Sequence, residues 1–239
     1  MTSSLLVWHE TLPSTIDEAH RRAGENAPHG FGVAARIQTA GRGTRGQAWD
    51  SSAGGLWLSV IARPSGSGPL ESTGLRVGLA VAERIDALLG PGTRRTEIKW
   101  PNDLVLGGKK LAGILCEARW HGDRLSWIIA SIGLNLWNPI PLALTDRATR
   151  LADHGVGLRP GDLAEPLRDA IASAAACADV LSAHHLSAFG ERDWLRGRSL
   201  TEPEVGIAEG ISDSGRLRIR HSDGTLTTVL GTVRLAEQG

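Results

Sequence analysis

Two stretches of the chain place charged residues and glycines where they could act on an anion. The first runs Gln38-Thr39-Ala40-Gly41-Arg42-Gly43-Thr44-Arg45-Gly46-Gln47-Ala48-Trp49. Glycines let backbone amides approach a bound anion, and two arginines add fixed positive charge in a fork that matches phosphate or carboxylate oxygens. The GxxxxGK[ST] spacing of a P-loop is missing. A solvated turn with incidental arginines is the bland alternative, and an RGG-type RNA-binding segment would be longer and repetitive. The second stretch is Lys99-Trp100-Pro101-Asn102-Asp103, leading to Gly107-Gly108-Lys109-Lys110-Leu111-Ala112-Gly113-Ile114-Leu115. Here a strand ends in a turn bearing a carboxylate, and the next strand begins with a lysine pair. A lysine at the mouth of a buried strand neutralises anions in a low-dielectric pocket, and an aspartate beside it holds Mg²⁺ or orients an amine. A hairpin tip with solvated charges is the competing reading.

The other reactive residue types carry less information. No HxH or HExxH spacing occurs among the eight histidines, so surface or core roles are expected for them. Of the eight tryptophans only Trp49 and Trp100, which flank the charged stretches, read as site residues; the rest read as core. Cys116 and Cys177 lack a CxxC partner, which excludes a disulfide framework or zinc ribbon and suits a reducing cytosol. Twenty-six basic and twenty-six acidic side chains cancel, so any anion binding must be local, and no polyanion or anionic membrane is advertised as a partner. No apolar run approaches the ~20 residues that span a bilayer, and the N-terminus lacks a signal-peptide pattern. A soluble, cytoplasmic protein is expected.

Elements must hold those stretches in place. Strands are expected at Phe31 to Ile37, Leu56 to Ala62, Glu97 to Trp100, Leu111 to Arg119 and Leu125 to Leu134, with a hairpin turn at His121-Gly122-Asp123. Helical periodicity covers Ser72 to Leu89, with Ser72 as N-cap and Gly90-Pro91 as stop, and returns between Pro160 and His184. The reading is α/β (α+β), with at least five strands. After Trp194 short alternating runs at Val205 to Ala208, Arg216 to Arg220, Thr225 to Leu230 and Thr232 to Leu235 suggest a small all-β barrel packed on the larger body.

Taken together, GRGTRGQAW, KWPNDLV and GKKLAGIL, preceded by Ser14-Thr15-Ile16-Asp17 and followed by Gly133-Leu134-Asn135, resemble biotin protein ligase along the whole chain. That family biotinylates acetyl-CoA carboxylase and related carboxylases. The resemblance implies a central mixed sheet of the class II aminoacyl-tRNA synthetase type, flanked by helices, over 1–193, and an SH3-like barrel over 194–239. It implies a monofunctional form without the N-terminal DNA-binding domain that some members carry, and hence no specific DNA binding. ATP and Mg²⁺ are the implied co-substrate and ion and biotin the substrate, with no tightly bound prosthetic group. A biotin carboxyl carrier domain is the implied partner, and a homodimer is compatible.

By match to the family motifs, Lys110, Arg42 and Asp103 are the catalytic candidates. Ser14, Thr15, Gln38, Gly41, Arg42, Trp100, Lys110, Gly113 and Leu115 are candidates for biotin, and Thr44, Arg45, Trp49, Asn102, Asp103 and Asn135 for the nucleotide, Asp103 also for Mg²⁺. The implied first step joins the biotin carboxylate to the α-phosphate of ATP. A carboxylate is already ionised at pH 7, so that step needs no general base and its obstacle is anion meeting anion. Two positions depart from the family pattern: Ile16 stands where Asn is usual, and Thr44 where a loop arginine is usual. Arg45 is one place further on, and the loop, with its arginines unpaired, is expected to order only around ligand. Lipoate or octanoate ligation on the same fold is the neighbouring alternative, and a non-catalytic biotin sensor or nucleic-acid-binding protein the one from another class.

Overall fold

The computed structural model describes residues 4–66, 68–89 and 94–236. A seven-stranded sheet carries the larger part of the chain. Its strands are β1 (Leu6–Leu12), β2 (Gly32–Gln38), β3 (Leu56–Ala62), β4 (Glu97–Lys99), β5 (Asp103–Leu106), β6 (Lys109–His121) and β7 (Arg124–Leu134), in the order β1-β2-β3-β7-β6-β5-β4. β1 and β2 run parallel and every other neighbour is antiparallel. The interior strand β3, LWLSVIA, is buried at every residue, as expected of a strand covered on both faces.

The two faces are covered unequally. Even-numbered residues of the central strands, among them Leu58, Val60, Ile114, Ala130 and Ile132, join the main core under α2 (Leu70–Leu89) and α3 (Pro160–Ala174). Odd-numbered ones face α1 (Thr15–Gly24), where Ile16, Ala19 and Ala23 close a smaller core on Val33, Ile61 and Ile129. The one short helix leaves the rest of that face open.

β1 and α1 escaped the sequence reading, because β1 interleaves His9 and Glu10 with its apolar residues and α1 buries only four positions of ten. α1 is fixed by local signals instead: Ser14 caps it, accepting from the Ile16 amide, with Asp17 and Glu18 in its first turn and Arg21 and Arg22 in its last. Ser72 is no cap. It lies inside α2, buried, and its hydroxyl donates to the carbonyls of Pro69 and Asp179. The expected stop at Gly90-Pro91 lies outside the described residues. The helical run to His184 breaks at Ala174; Ala175 caps α3, and Ala178 and Leu181 are buried from the connection before α4 (Ala183–Gly190), because apolar spacing alone does not distinguish the two.

β8 (Ser199–Glu202), β9 (Gly206–Ile211), β10 (Leu217–Arg220), β11 (Leu226–Val229) and β12 (Arg234–Leu235) form a second, antiparallel sheet in the order β11-β10-β9-β8-β12. Its inward residues Leu200, Ala208, Leu217 and Ile219 belong to the same core as the first sheet. The turn at Gly215 seats on the first turn of α2, where a Cβ would stand 3.0 Å from the Ser72 nitrogen. Half of the tryptophans, Trp57, Trp100, Trp127 and Trp194, belong to or pack on the cores, fewer than expected. Trp57 and Trp100 are fully buried, whereas Trp8, Trp120 and Trp137 are exposed. Several serve as platforms for cations: Arg159 over Trp137, and Lys99 and Arg198 over Trp194. No helix among the described residues is long and apolar enough to cross a membrane.

Candidate active site

A cleft opens on the α1 face of the large sheet, lined by Thr15, Gln38, Arg42, Thr44, Trp49, Asn102, Lys110, Gly113, Leu115 and Ser131 among others. The odd-numbered register of β6 and β7 sets its floor, where Gly113 pairs with Gly133 and Leu115 with Ser131. The Trp49 indole lies on the two glycines: a Cβ on Gly113 would stand 3.2 Å from Trp49 Cζ3, and one on Gly133 2.7 Å from Nε1. That Nε1 is buried without a hydrogen-bond partner.

Lys110 reaches the same floor through a β-bulge. Val105 pairs with Lys110 and Leu104 with Ala112, so Leu111 is the extra residue. Without it Lys110 would share the core face of Ala112 and Ile114. With it Leu111 turns into the core and Lys110 onto the cleft. There the ammonium sits 2.6 Å from Asp103 Oδ1 and 4.8 Å from the Trp49 ring centre. Asp103 pairs with Gly113 across β5 and β6, which puts it on that face too.

The opposite end of the cleft is polar and internally connected. Ser59 donates to Thr15 Oγ1 at 2.8 Å, so its contact with Ser131 Oγ, also 2.8 Å, takes its proton from Ser131. Thr15 in turn donates through both its amide and its hydroxyl to Gln38 Oε1, and Gln38 Nε2 donates to Ser51 Oγ. Gly41 underlies this end because the space of a Cβ is taken by Ser51 Oγ and the Trp49 carbonyl. Ser59 and Ser131 were missed, although each interrupts an otherwise apolar strand, LWLSVIA and WIIASIGL, which is the signal that could have found them.

The glycine-rich stretch is a closed hairpin. Trp49 N donates to Gly41 O and Gly43 N to Gln47 O, and the tip at Thr44–Gly46 turns with Arg45 in the left-handed region, φ 59°. Nor is Arg42 unpaired, which corrects the expectation for the loop. Its Nε and Nη2 lie 3.2 and 3.3 Å from the two oxygens of Glu117, and Nη2 lies 2.8 Å from Asp17 Oδ1. Asp17 foremost, with Glu117, holds the guanidinium protonated beyond its ordinary range. Glu117 also meets His20 Nε2 at 3.1 Å, and the His20 and Arg42 contacts depress its carboxyl to about 2 against the cost of burial. His20 Nδ1 accepts from Trp127 Nε1. Glu117 follows Gly113 and Leu115 at period two on β6, so the alternation already pointed to it.

Other candidates fall elsewhere. Arg45 does not line the cleft; its guanidinium reaches Gly231 beside the second sheet. Trp100 is buried away from the cleft, donating to the Gly215 carbonyl. Asn102 lines the first cleft, its amide donating to the Ile114 carbonyl. Asn135, Asp103, Lys110 and Trp49 line an adjoining cleft with Lys99 and Arg147. The Asn135 amide is engaged by the Thr149 carbonyl and Asn138. Ile16 both lines the cleft and packs in the smaller core.

Residues 8–135, which hold every candidate above, match the biotin/lipoate A/B protein ligase family. The chain belongs to that family. It is 34% identical over 232 residues to the bifunctional ligase/repressor BirA of Bacillus subtilis, covering 92% of this chain and 70% of that protein. It is 31% identical over 242 residues to a biotin–[acetyl-CoA-carboxylase] ligase of Mycobacterium tuberculosis, covering 94% of this chain and 86% of that one. Among solved structures, the biotin protein ligase of Aquifex aeolicus in complex with biotin and ATP superposes with a TM-score of 0.79 at 25% identity, over 97% of this chain and 99% of the other. That superposition takes in both the large mixed sheet and the second sheet described above.

Proposed function

We propose that this chain is an ATP-dependent biotin protein ligase. The observation that carries the reading is one cleft with two chemically distinct ends. At one end Thr15, Gln38 and Ser131, with Ser14 and Arg42 beside them, offer hydroxyl and amide groups to a ureido ring, which has two donors and one strong acceptor. Each unmatched group there would cost about 1–3 kcal/mol, so such a set selects its ligand. At the other end Lys110 stands over the Gly113–Gly133 floor, placed to oppose the repulsion between a carboxylate and an α-phosphate.

The carboxylate oxygen forms a bond to the α-phosphorus and pyrophosphate departs. The amine of a carrier lysine then attacks the acyl carbon, AMP departs, and the amine loses a proton to solvent. Lys110 supplies fixed charge in the first step, and the closed hairpin shields the mixed anhydride from water. Asp103 is the residue that would hold Mg²⁺. No group of three or more metal-binding side chains exists among the described residues, which fits an ion that arrives on the nucleotide with most of its ligands from phosphate and water. Such an ion would neutralise charge on the phosphates.

The finer assignments belong to the same proposal. These are residues 1–193 as the ligase domain, on a sheet of the class II aminoacyl-tRNA synthetase type, and 194–239 as an SH3-like module. A carboxylase carrier domain as acceptor, a cytoplasmic setting, and nucleotide roles for Thr44, Trp49, Asn102 and Asn135 complete it, and a homodimer is compatible with it. Incubation with biotin, ATP, Mg²⁺ and a purified carrier domain should give biotin-dependent pyrophosphate release and one biotinyl group on the carrier lysine. Release driven by lipoate or octanoate and not by biotin would overturn the reading.

A further inference from the structure

Glu117, His20 and Trp127 have no part in the chemistry just described, yet through Arg42 they connect to the cleft. The cluster links four elements: Trp127 on β7 donates to His20 on α1, His20 meets Glu117 on β6, and Glu117 receives two donors of Arg42 in the hairpin. Because His20 Nδ1 accepts from Trp127, the neutral ring carries its proton on Nε2, which then donates to Glu117. The contacts from Trp127 through His20 to Glu117 therefore orient one carboxylate toward Arg42. Asp17, the second carboxylate on Arg42, makes the shorter contact, 2.8 Å, but is well exposed, whereas Glu117 is partly buried and is itself held by His20.

A sheltered charge cluster is a poor way to stabilise a fold, since apolar residues of the same volume usually do as well. Packing of α1 on the sheet is already supplied by Ile16, Ala19 and Ala23 against Val33, Ile61 and Ile129. What the cluster adds is orientation. Arg42 sits in a hairpin that begins Gly41-Arg42-Gly43, flanked by glycines that impose little on the backbone, and its remaining Nη1 faces Ser14 Oγ at 3.4 Å. A guanidinium whose Nε and Nη2 are taken by carboxylates presents Nη1 in a fixed direction at the cleft.

We propose that Glu117, oriented by His20, is a positioning residue that holds Arg42 and its hairpin over the cleft and thereby slows escape of the acyl-adenylate before the carrier arrives. The proposal rests on the ligase reading above. It assigns Glu117 no contact with substrate and places its effect on retention of the intermediate more than on its formation.

The test forms the adenylate from labelled biotin and ATP, chases with unlabelled biotin, and follows both dissociation and labelling of a bystander protein such as serum albumin. In Glu117→Gln, dissociation should rise on the order of tenfold, more than the single-turnover rate of adenylate formation falls, and bystander labelling should rise with it. In an Arg42→Ala background the same substitution should add almost nothing, because its effect passes through Arg42. His20→Phe should shift dissociation in the same direction by less, and it carries the test if Glu117→Gln fails to fold. Unchanged dissociation in a folded variant overturns the proposal, as does an equal effect with and without Arg42, which marks a purely structural role. Failure of the ligase reading is separate: the wild-type protein would then release no pyrophosphate with biotin.

Discussion

Lys110 Nζ lies 2.6 Å from Asp103 Oδ1, and the two residues reach each other only because Leu111 is extruded from the pairing of β5 with β6. The pair is partly solvated, so it contributes only about 0–1 kcal/mol to stability. Its ammonium is nevertheless the fixed positive charge above the glycine floor. Lys110→Ala should therefore lower kcat/KM for biotin-dependent pyrophosphate release by about 10²–10³, the scale seen when one preorganised charge donor is removed, with little change in Tm. Near-normal pyrophosphate release would remove Lys110 from this role.

Gly133→Ala separates activity from stability in the opposite sense. An alanine is the better residue in a strand interior by roughly 0.5–1 kcal/mol, yet its methyl would come within 2.7 Å of Trp49 Nε1 and force the indole off the floor. Tm should hold while KM for biotin or ATP rises about tenfold, on the scale of one lost packing contact. A variant with wild-type kinetics would show that the Trp49 position is immaterial.

Thr44 lines the cleft, whereas Arg45 points to Gly231. Thr44→Arg should add a charge-assisted contact, roughly twice as strong as one from a hydroxyl, and so slow dissociation of biotinyl-AMP and reduce stray biotinylation. Arg45→Ala should change dissociation little. The reverse pattern would mean that Arg45 swings into the cleft when ligand binds.

Acid sensitivity follows from Glu117, whose carboxyl falls from 4.5 to about 2 on folding, chiefly through His20 and then Arg42. A lowered pKa means that the unfolded chain binds this proton more readily than the folded one. The stabilisation is complete above the unfolded value of 4.5 and is lost as pH falls toward 2. Glu117→Gln should thus lose less stability than wild type over that window, read as urea midpoints at successive pH values. Parallel curves would mean that the ion pairs do not persist in solution.

Much of the site was legible because its chemistry is local. GRGTRGQAW and KWPNDLV through KLAGIL are contiguous stretches, and the structure brings Gln38, Arg42, Thr44, Trp49, Lys110, Gly113 and Leu115 to one cleft. Strand β3 was readable to the residue, being apolar except at Ser59 and punctuated by Gly54-Gly55 and Pro64. Elements whose identity depends on neighbours were not. α1 is polar on most of its surface and is a helix because Ser14 caps it and the sheet buries one narrow stripe.

The sequence by itself determined the charged and glycine-rich stretches that line the cleft, the order of the central strands along the chain and the alternation that puts Gly113, Leu115 and Glu117 on one face. Pairing decided the rest. Side-chain direction in a strand has period two, so one extra residue reverses it, and whether Leu111 is that residue depends on which partner β5 offers across the ladder. The partners of Arg42 come from α1 and from a strand seventy-five residues away, and only the packing of α1 on β2, β3 and β7 brings Asp17 and Glu117 to the same guanidinium. Long-range charge pairing leaves no periodic trace in a sequence, and that is why Arg42 read as free.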